Sequence, residues 1–295
     1  MVLKTVNISK KEFESLNKYF PPKGVPNTEG QLFILKRNNT KELVKHFYLT
    51  EGEYFGRKLL NIYTLMEIKE HINIPEIIFP DKLAIVGNKA VGFSMPYIEN
   101  NTNLSNYLSN VDVPFKDKIK YLKSIGNILN KINKLKGVSY DIHINDLHEG
   151  NFIIDNDTQQ LLVIDSDSFY ISNNKPFTSK YIFLNPNIAF LTHKYTEDSE
   201  GNLIPNKESD FLCYIMIILN FISRTDINSY SLEDFYSYMT FLIGLGYSYE
   251  IVETFAKIYN GTQNVNPMDF LDEITEKQYY KSHYLVHKKT NNMNS

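Results

Sequence analysis

The chain has 295 residues, 42% hydrophobic and 22% charged, with 21 Tyr and 19 Phe; this excludes disorder of the whole chain and corresponds to one or two domains with a sizeable core. Its formal net charge of −3 and pI of about 6.2 exclude the basic footprint that phosphate-backbone binding requires, so nucleic acid is not expected as a partner. A single cysteine, Cys213, excludes an intrachain disulfide and a thiolate zinc site and points to a reducing cytoplasm.

The N-terminal residues run into Lys10, Lys11 and Glu12 and lack the apolar stretch of a signal peptide. The most apolar run, Phe211 to Ile222, is 12 residues long and contains Asn220, short of the roughly 20 residues that span a bilayer. A soluble protein with no membrane partner is expected. In chain order, Leu32 to Lys36 reads as a strand. A helix is expected from about Glu51 to Ile72, because Phe55, Leu59, Ile62 and Met66 recur at spacings of 4, 3 and 4. Leu83 to Val86 and Ala90 to Ile98 flank Gly87-Asn88-Lys89, which has the turn chemistry of a hairpin.

Beyond residue 100 the pattern becomes mostly helical. Lys116 to Leu135 places Ile119, Leu122, Ile125, Leu129 and Ile132 on one face. A short strand pair interrupts it: Phe152 to Ile154 and Leu161 to Ile164 flank the polar turn 155–160. Helical signals resume at Asp210 to Ile222 and Leu232 to Leu245, while the Asn-rich segments 99–103, 172–175 and 185–187 read as loops. The expected organisation is a sheet-rich unit over 1–98, a helix-rich unit over 99–287 and a polar tail over 288–295.

The most informative stretch runs from Tyr140 to Asp155, with Asp146-Leu147-His148-Glu149-Gly150-Asn151 at its centre, followed by Val163-Ile164-Asp165-Ser166-Asp167-Ser168-Phe169. Asn151 lies 5 residues after Asp146, and Asp165 lies 19 after it, at the end of an apolar strand. This constellation resembles the protein-kinase-like catalytic core over roughly residues 30 to 225. In that superfamily a catalytic-loop Asp precedes a metal-binding Asn by five residues, and a second Asp ends the next hairpin.

The resemblance implies an α+β fold of two lobes: a small β-rich N-lobe with one long helix, and a larger, mainly helical C-lobe. It implies ATP and Mg²⁺ as cofactors, with Asp146 orienting the acceptor hydroxyl and taking its proton, and Asn151 and Asp165 holding the metal. Lys36, at a strand end, would be the phosphate-contacting lysine. Glu51, in helical phase with Phe55 and Leu59, would be its ion-pair partner, with Glu53 as the alternative. Met95-Pro96-Tyr97-Ile98 looks like the interlobe hinge, whose backbone at Pro96 and Ile98 would face adenine, although Pro96 has no N–H to donate. Asp210-Phe211-Leu212 is similar to the start of the helix whose Asp braces the catalytic loop.

Departures from the pattern shape the expected activity. Asn145 and Ile144 replace the Arg and His of His-Arg-Asp, with His143 one residue early. His148 stands where protein kinases have Lys, which is similar instead to the aminoglycoside phosphotransferases. Asp165-Ser166-Asp167 replaces Asp-Phe-Gly, leaving Asp167 either a second metal ligand or a turn residue. Gly24 and Gly30 lie 12 and 6 residues before Lys36, too near and too sparse for the Gly-rich phosphate flap, and Leu184-Asn185-Pro186 is the nearest approach to Ala-Pro-Glu.

Singly, these residues have simpler explanations: Lys36 a solvated strand end, Glu51 a helix N-terminal acid, Asp210 after Ser209 a helix cap. His143 and His148 lack the one-face spacing of a zinc pair. The joint order carries the resemblance. The expected activity is ATP- and Mg²⁺-dependent transfer of a phosphoryl group to Ser or Thr of a protein. The alternatives are a small-molecule kinase of the aminoglycoside or choline type and a pseudokinase that only binds partners.

Overall fold

The computed structural model describes residues 4–20, 29–135, 141–172, 204–223, 232–259 and 265–282. The expectations that fall on Gly24, on 173–175, on Leu184-Asn185-Pro186 and 185–187, and on the tail 288–295 lie outside the described residues. The chain is a mixed α+β protein, β-rich in its N-terminal part and helical in its C-terminal part.

The N-terminal part is built on six strands: β1 (Thr5–Ile8), β2 (Asn17–Tyr19), β3 (Gly30–Arg37), β4 (Thr40–Phe47), β5 (Lys82–Val86) and β6 (Lys89–Pro96). They form one sheet in the order β1-β5-β6-β4-β3-β2, antiparallel except where β1 runs parallel to β5. Two hairpin turns use residues that tolerate the left-handed region. Gly87 (φ 53°) and Asn88 (φ 74°) join β5 to β6 as expected, and Asn38 (φ 47°) and Asn39 (φ 63°) join β3 to β4. Strand β4 carries no period-2 apolar pattern in the sequence, because Lys41, Glu42, Lys45 and His46 leave Leu43, Val44 and Phe47 as its apolar residues, with 43 and 44 adjacent.

Alternation sorts β4 onto two apolar layers. Val44 packs with Val6, Ile8, Leu35, Ala84 and Val91 on one face, against Phe13 of helix α1 (Lys10–Glu14). Phe47 packs on the other face with Phe93, Met95 and Ile78, against Phe55, Ile62 and Met66 of helix α2 (Glu53–His71). Lys45, two residues from Phe47, therefore projects toward α2.

Segment 99–103, expected as loop, instead contains β7 (Asn101–Asn103), which pairs antiparallel with β9 (Phe152–Asp155); β9 pairs with β10 (Gln160–Val163). This confirms the hairpin expected at 152–164 and adds a third strand. Ile153 and Leu162 enter the α2-side core.

The described residues of Met1–Asn103, Leu135–Asp141 and Gly150–Lys175 form one compact unit, so the β9–β10 hairpin belongs with the six-stranded sheet. Those of Leu104–Lys134, Ile142–Glu149 and Pro176–Ser295 form a second. The second unit contains α3 (Leu104–Ser109), α4 (Phe115–Asn133), the short strand β8 (Ile142–His143), α5 (Lys207–Ser223), α6 (Leu232–Gly244) and α7 (Tyr249–Tyr259). Helix α5 is buried on nearly every side, which explains why its sequence is apolar all round. Tyr214 of α5 ties it to α4 by donating to the Leu122 carbonyl at 2.6 Å. Among the described residues no helix is long and apolar enough to cross a membrane.

Candidate functional site

The chemistry-bearing residues of the first unit gather around β4, α2 and the segment after β10. Lys45 is buried, and its Nζ lies 2.6 Å from Asp165 Oδ1, 2.8 Å from Asp167 Oδ1 and 3.0 Å from Asp167 Oδ2. Its ammonium stands 5.6 Å from the Phe47 ring centroid and 6.0 Å from that of Phe93, so apolar walls surround it. Lys58 of α2, with a side chain only 1% exposed, lies 2.9 Å from Glu29 Oε2 and 3.3 Å from Asp167 Oδ2. Glu29 Oε2 is also 3.9 Å from Lys45, and Tyr54 donates its hydroxyl to Glu29 Oε1 at 2.6 Å.

Two buried cations thus meet three carboxylates. Burial alone would push the Lys45 pKa down, but Asp165, then Asp167 and Glu29, outweigh it and hold the ammonium charged well above its usual range. Burial likewise works to raise the Asp165 and Glu29 carboxyls, yet both end below the usual carboxylate range. Lys45 is the main cause at Asp165, and Lys58 followed by Lys45 at Glu29.

The backbone fixes this cluster from several sides. Asp165 adopts a left-handed conformation (φ 61°, ψ 35°), which Asp tolerates better than most residues, and opens a single 3-10 turn over Ser166–Ser168. The Ser166 hydroxyl donates to the Ile78 carbonyl at 2.8 Å, and the Ile78 N–H donates to the Val163 carbonyl at 2.9 Å. Asn151, buried in the turn before β9, accepts the Ile164 N–H on its own carbonyl at 2.9 Å, which ties it to the residue preceding Asp165. The buried Asn103 of β7 donates to the carbonyls on either side of Asn151, at Gly150 (3.0 Å) and Phe152 (3.4 Å).

Asn151 and Asp165 therefore sit in one hydrogen-bonded framework, as the sequence suggests. The expected pair of Lys36 with Glu51 does not form, and this is corrected. Lys36 is exposed near the end of β3, in register with Lys41, because Leu35 takes the inward face. Glu51 is exposed and bonds Lys89 at 2.9 Å; Glu53, the alternative, is also exposed in the first turn of α2. The inward positions of α2 are instead Phe55, Lys58, Asn61, Ile62, Leu65, Met66 and Ile68. Pro96 is the exposed last residue of β6, opposite Glu42, and Ile98 packs against the α2-side core.

In the second unit, Asp146 follows Asn145, a left-handed residue (φ 61°), and His148 Nε2 lies 3.8 Å from Asp146 Oδ2. The buried Asp210 carboxylate accepts the N–H groups of Ile144 (3.3 Å) and Asn145 (3.4 Å), and His143 Nδ1 stands 3.4 Å from it. Capping of α5 falls to Asn206, whose side chain accepts the Glu208 and Ser209 N–H groups at 2.9 and 3.0 Å. Asp210 is thereby left to brace the loop that carries Asp146 through the Ile144 and Asn145 amides.

Sequence reasoning missed Lys45, Lys58, Glu29 and Asn103. The signal for Lys45 is the Asn38-Asn39 turn followed by Leu43 and Phe47, which lie two residues to either side of the lysine and share its strand face.

A hard-cation site fits these residues in its donor chemistry. Asp165 presents Oδ1 to Lys45, while Oδ2 lies 3.4 Å from the Ser168 hydroxyl, and its side chain is 35% exposed. Together with the amide oxygen of Asn151, the second donor that the resemblance implies, it would supply oxygen ligands of the kind Mg²⁺ takes with waters and phosphate oxygens. Among the described residues no group of three or more His, Cys, Asp or Glu side chains is gathered to hold a metal ion by itself. No protein-family model matches the chain, and no curated protein matches it.

Proposed function

We propose that the chain is an ATP- and Mg²⁺-dependent phosphotransferase of protein-kinase-like fold, acting on a Ser or Thr hydroxyl of a protein in the cytoplasm. The observation that carries this reading is the buried Lys45 ammonium bonded to Asp165 at the open end of a strand hairpin that holds Asn151 at the same end. Lys45 takes the phosphate-contacting role that sequence alone gave to Lys36. Counted from Lys45, Gly24 and Gly30 lie 21 and 15 residues upstream (45 − 24 and 45 − 30), so their closeness to Lys36 no longer argues against a phosphate flap.

In this reading Lys45 draws in nucleotide phosphate oxygens, and Asn151 and Asp165 would hold Mg²⁺, which neutralises phosphate charge. Asp146 orients the acceptor hydroxyl and takes its proton as the oxygen bonds the γ-phosphorus and the bond to the ADP leaving oxygen breaks. Asp210 keeps the Asp146 loop in place through the Ile144 and Asn145 amides.

A small-molecule acceptor is the second reading, favoured by His148 beside Asp146 where protein kinases carry Lys. Intact-mass spectrometry after incubation with Mg²⁺ and ATP, in the presence of a generic protein acceptor, separates the two. Phosphate added by the wild type and absent with Asp146→Ala supports protein phosphorylation. Its absence from every protein, with ATP consumed against a metabolite pool, favours the small-molecule reading. No consumption of ATP in either assay overturns both.

A further inference from the structure

We infer that Asp167, rather than an acid of helix α2, is the residue that positions Lys45 for nucleotide phosphate, with Lys58 of α2 as its counter-charge. The inference rests on the phosphotransferase reading and deepens it. Three placements carry it. Asp167 is 0% exposed, and both its carboxylate oxygens lie within 3.0 Å of Lys45 Nζ. Its Oδ2 is also 3.3 Å from Lys58 Nζ, so one carboxylate bridges a cation of β4 and a cation of α2. One turn along α2, Asn61 Nδ2 donates to the Asp167 carbonyl at 3.2 Å and the Phe169 carbonyl at 3.0 Å. Positions 58 and 61 lie on one face of the helix, so α2 clasps both the side chain and the backbone of this segment.

Electrostatics explain why the helix presents a cation. Lys45 alone cannot neutralise Asp165, Asp167 and Glu29, and an acid at position 58 would add a fourth carboxylate to a buried cluster. With Lys58 in place, two ammonium groups face three carboxylates, and only Glu29 and Asp165 are partly exposed. Asp165 can then turn toward a metal ion while Asp167 keeps Lys45 in position. Asp167 is thus neither a second metal ligand nor an exposed turn residue. It acts through Lys45 and is a positioning residue, and it couples the placement of α2 to that of residues 165–169.

The test is equilibrium binding of Mg²⁺–ADP by calorimetry, with thermal melting in parallel, on the full chain as wild type, Asp167→Asn, Lys58→Met and the double variant. The double variant leaves neither buried charge unpaired and keeps the net charge of the cluster, so it remains informative if a single variant fails to fold. Expected is a fall in affinity of about tenfold or more in Asp167→Asn, a comparable fall in Lys58→Met and no further loss in the double variant, as for residues acting as one unit. The double variant should melt closer to the wild type than either single variant does. A purely structural role would lower melting temperature and leave the affinity of the folded protein unchanged; that result, in Asp167→Asn or in the double variant, overturns the positioning role and leaves the phosphotransferase reading standing. A wild type that binds no Mg²⁺–ADP overturns the phosphotransferase reading, and this role with it.

Discussion

Lys45 Nζ lies 2.6 Å from Asp165 Oδ1 although the two residues are 120 positions apart in the chain. The pair joins the central β4 strand to the end of the β9–β10 hairpin, which makes Lys45 the cation beside the expected metal-binding carboxylate. Lys45→Met should lower phosphoryl transfer by about 100-fold or more, the scale seen when one charge-stabilising donor is removed. Lys36→Met should leave turnover within about twofold, as expected for a solvated surface position. An acyl-phosphate derivative of ATP, which acylates the lysine nearest its phosphates, checks the assignment directly. Peptide mapping should find the label on Lys45, and label on Lys36 instead would reverse it.

Asp146 and Asp210 should separate chemistry from scaffold. The Asp146 side chain is 23% exposed, and its removal takes away the proposed proton acceptor without emptying a core position. Asp146→Ala should abolish transfer at an unchanged melting temperature. Asp210 is buried and accepts two backbone amides, so Asp210→Ala should cost about 1 to 3 kcal/mol in stability as well as activity. Thermal melts and transfer assays on both variants check this; equal melting temperatures would remove the bracing role of Asp210.

Periodic elements were legible in the sequence because burial on one face leaves a pattern. Helices α2 and α4, the β5–β6 hairpin with Gly87 and Asn88, and the β9–β10 hairpin all lie where the apolar spacing puts them. Asp146, Asn151, Asp165 and Asp210 were singled out by their resemblance to a kinase-like motif, and the structure ties the Asn151 carbonyl to the Ile164 amide beside Asp165 and the Asp210 carboxylate to the loop before Asp146. The buried Lys45 escaped notice for a physical reason: a strand that buries charged residues loses its alternation. No acid of α2 reaches a buried lysine in this cluster: Glu51 bonds Lys89 at the surface, Lys58 faces inward, and Asp167 contacts both Lys45 and Lys58. Such long-range charge compensation leaves no local signature in one sequence.

Gly92 of β6 sits against the backbone of Lys45. A Cβ built there would lie 1.8 Å from the Lys45 carbonyl oxygen, in the strand pair where Gly92 opposes His46. Gly92→Ala must therefore push β4 and β6 apart next to Lys45, at a cost of about 1 to 3 kcal/mol typical of overpacking. The variant should melt lower and also bind Mg²⁺–ADP more weakly, because the displaced backbone carries the ammonium with it. Gly56→Ala, at an α2 position where an added Cβ meets nothing within 4 Å, is the control and should do neither. Comparable losses in the two variants would show that the close approach at Gly92 is not what matters.

Glu29 gives the cluster a pH dependence whose sign follows from its neighbours. Its carboxyl is held below the ordinary value of 4.5 because Lys58 and then Lys45 outweigh the opposing effect of burial. Above pH 4.5 the carboxylate is ionised in both folded and unfolded chains, and its contribution to stability is fully present. As the pH falls from there through the depressed folded value, the unfolded chain takes up the proton first and the contribution is lost. Glu29→Gln has no such proton to take up. Its amide oxygen still accepts from the Tyr54 hydroxyl, which lies 2.6 Å from Glu29 Oε1 in the wild type. The wild type should therefore be the more stable protein near neutrality, with the gap between the two narrowing below about pH 4.5. Melting curves of both proteins at matched ionic strength across the acidic range check this. A gap that stays constant with pH would mean that Glu29 is not the ionised partner of Lys58 and Lys45.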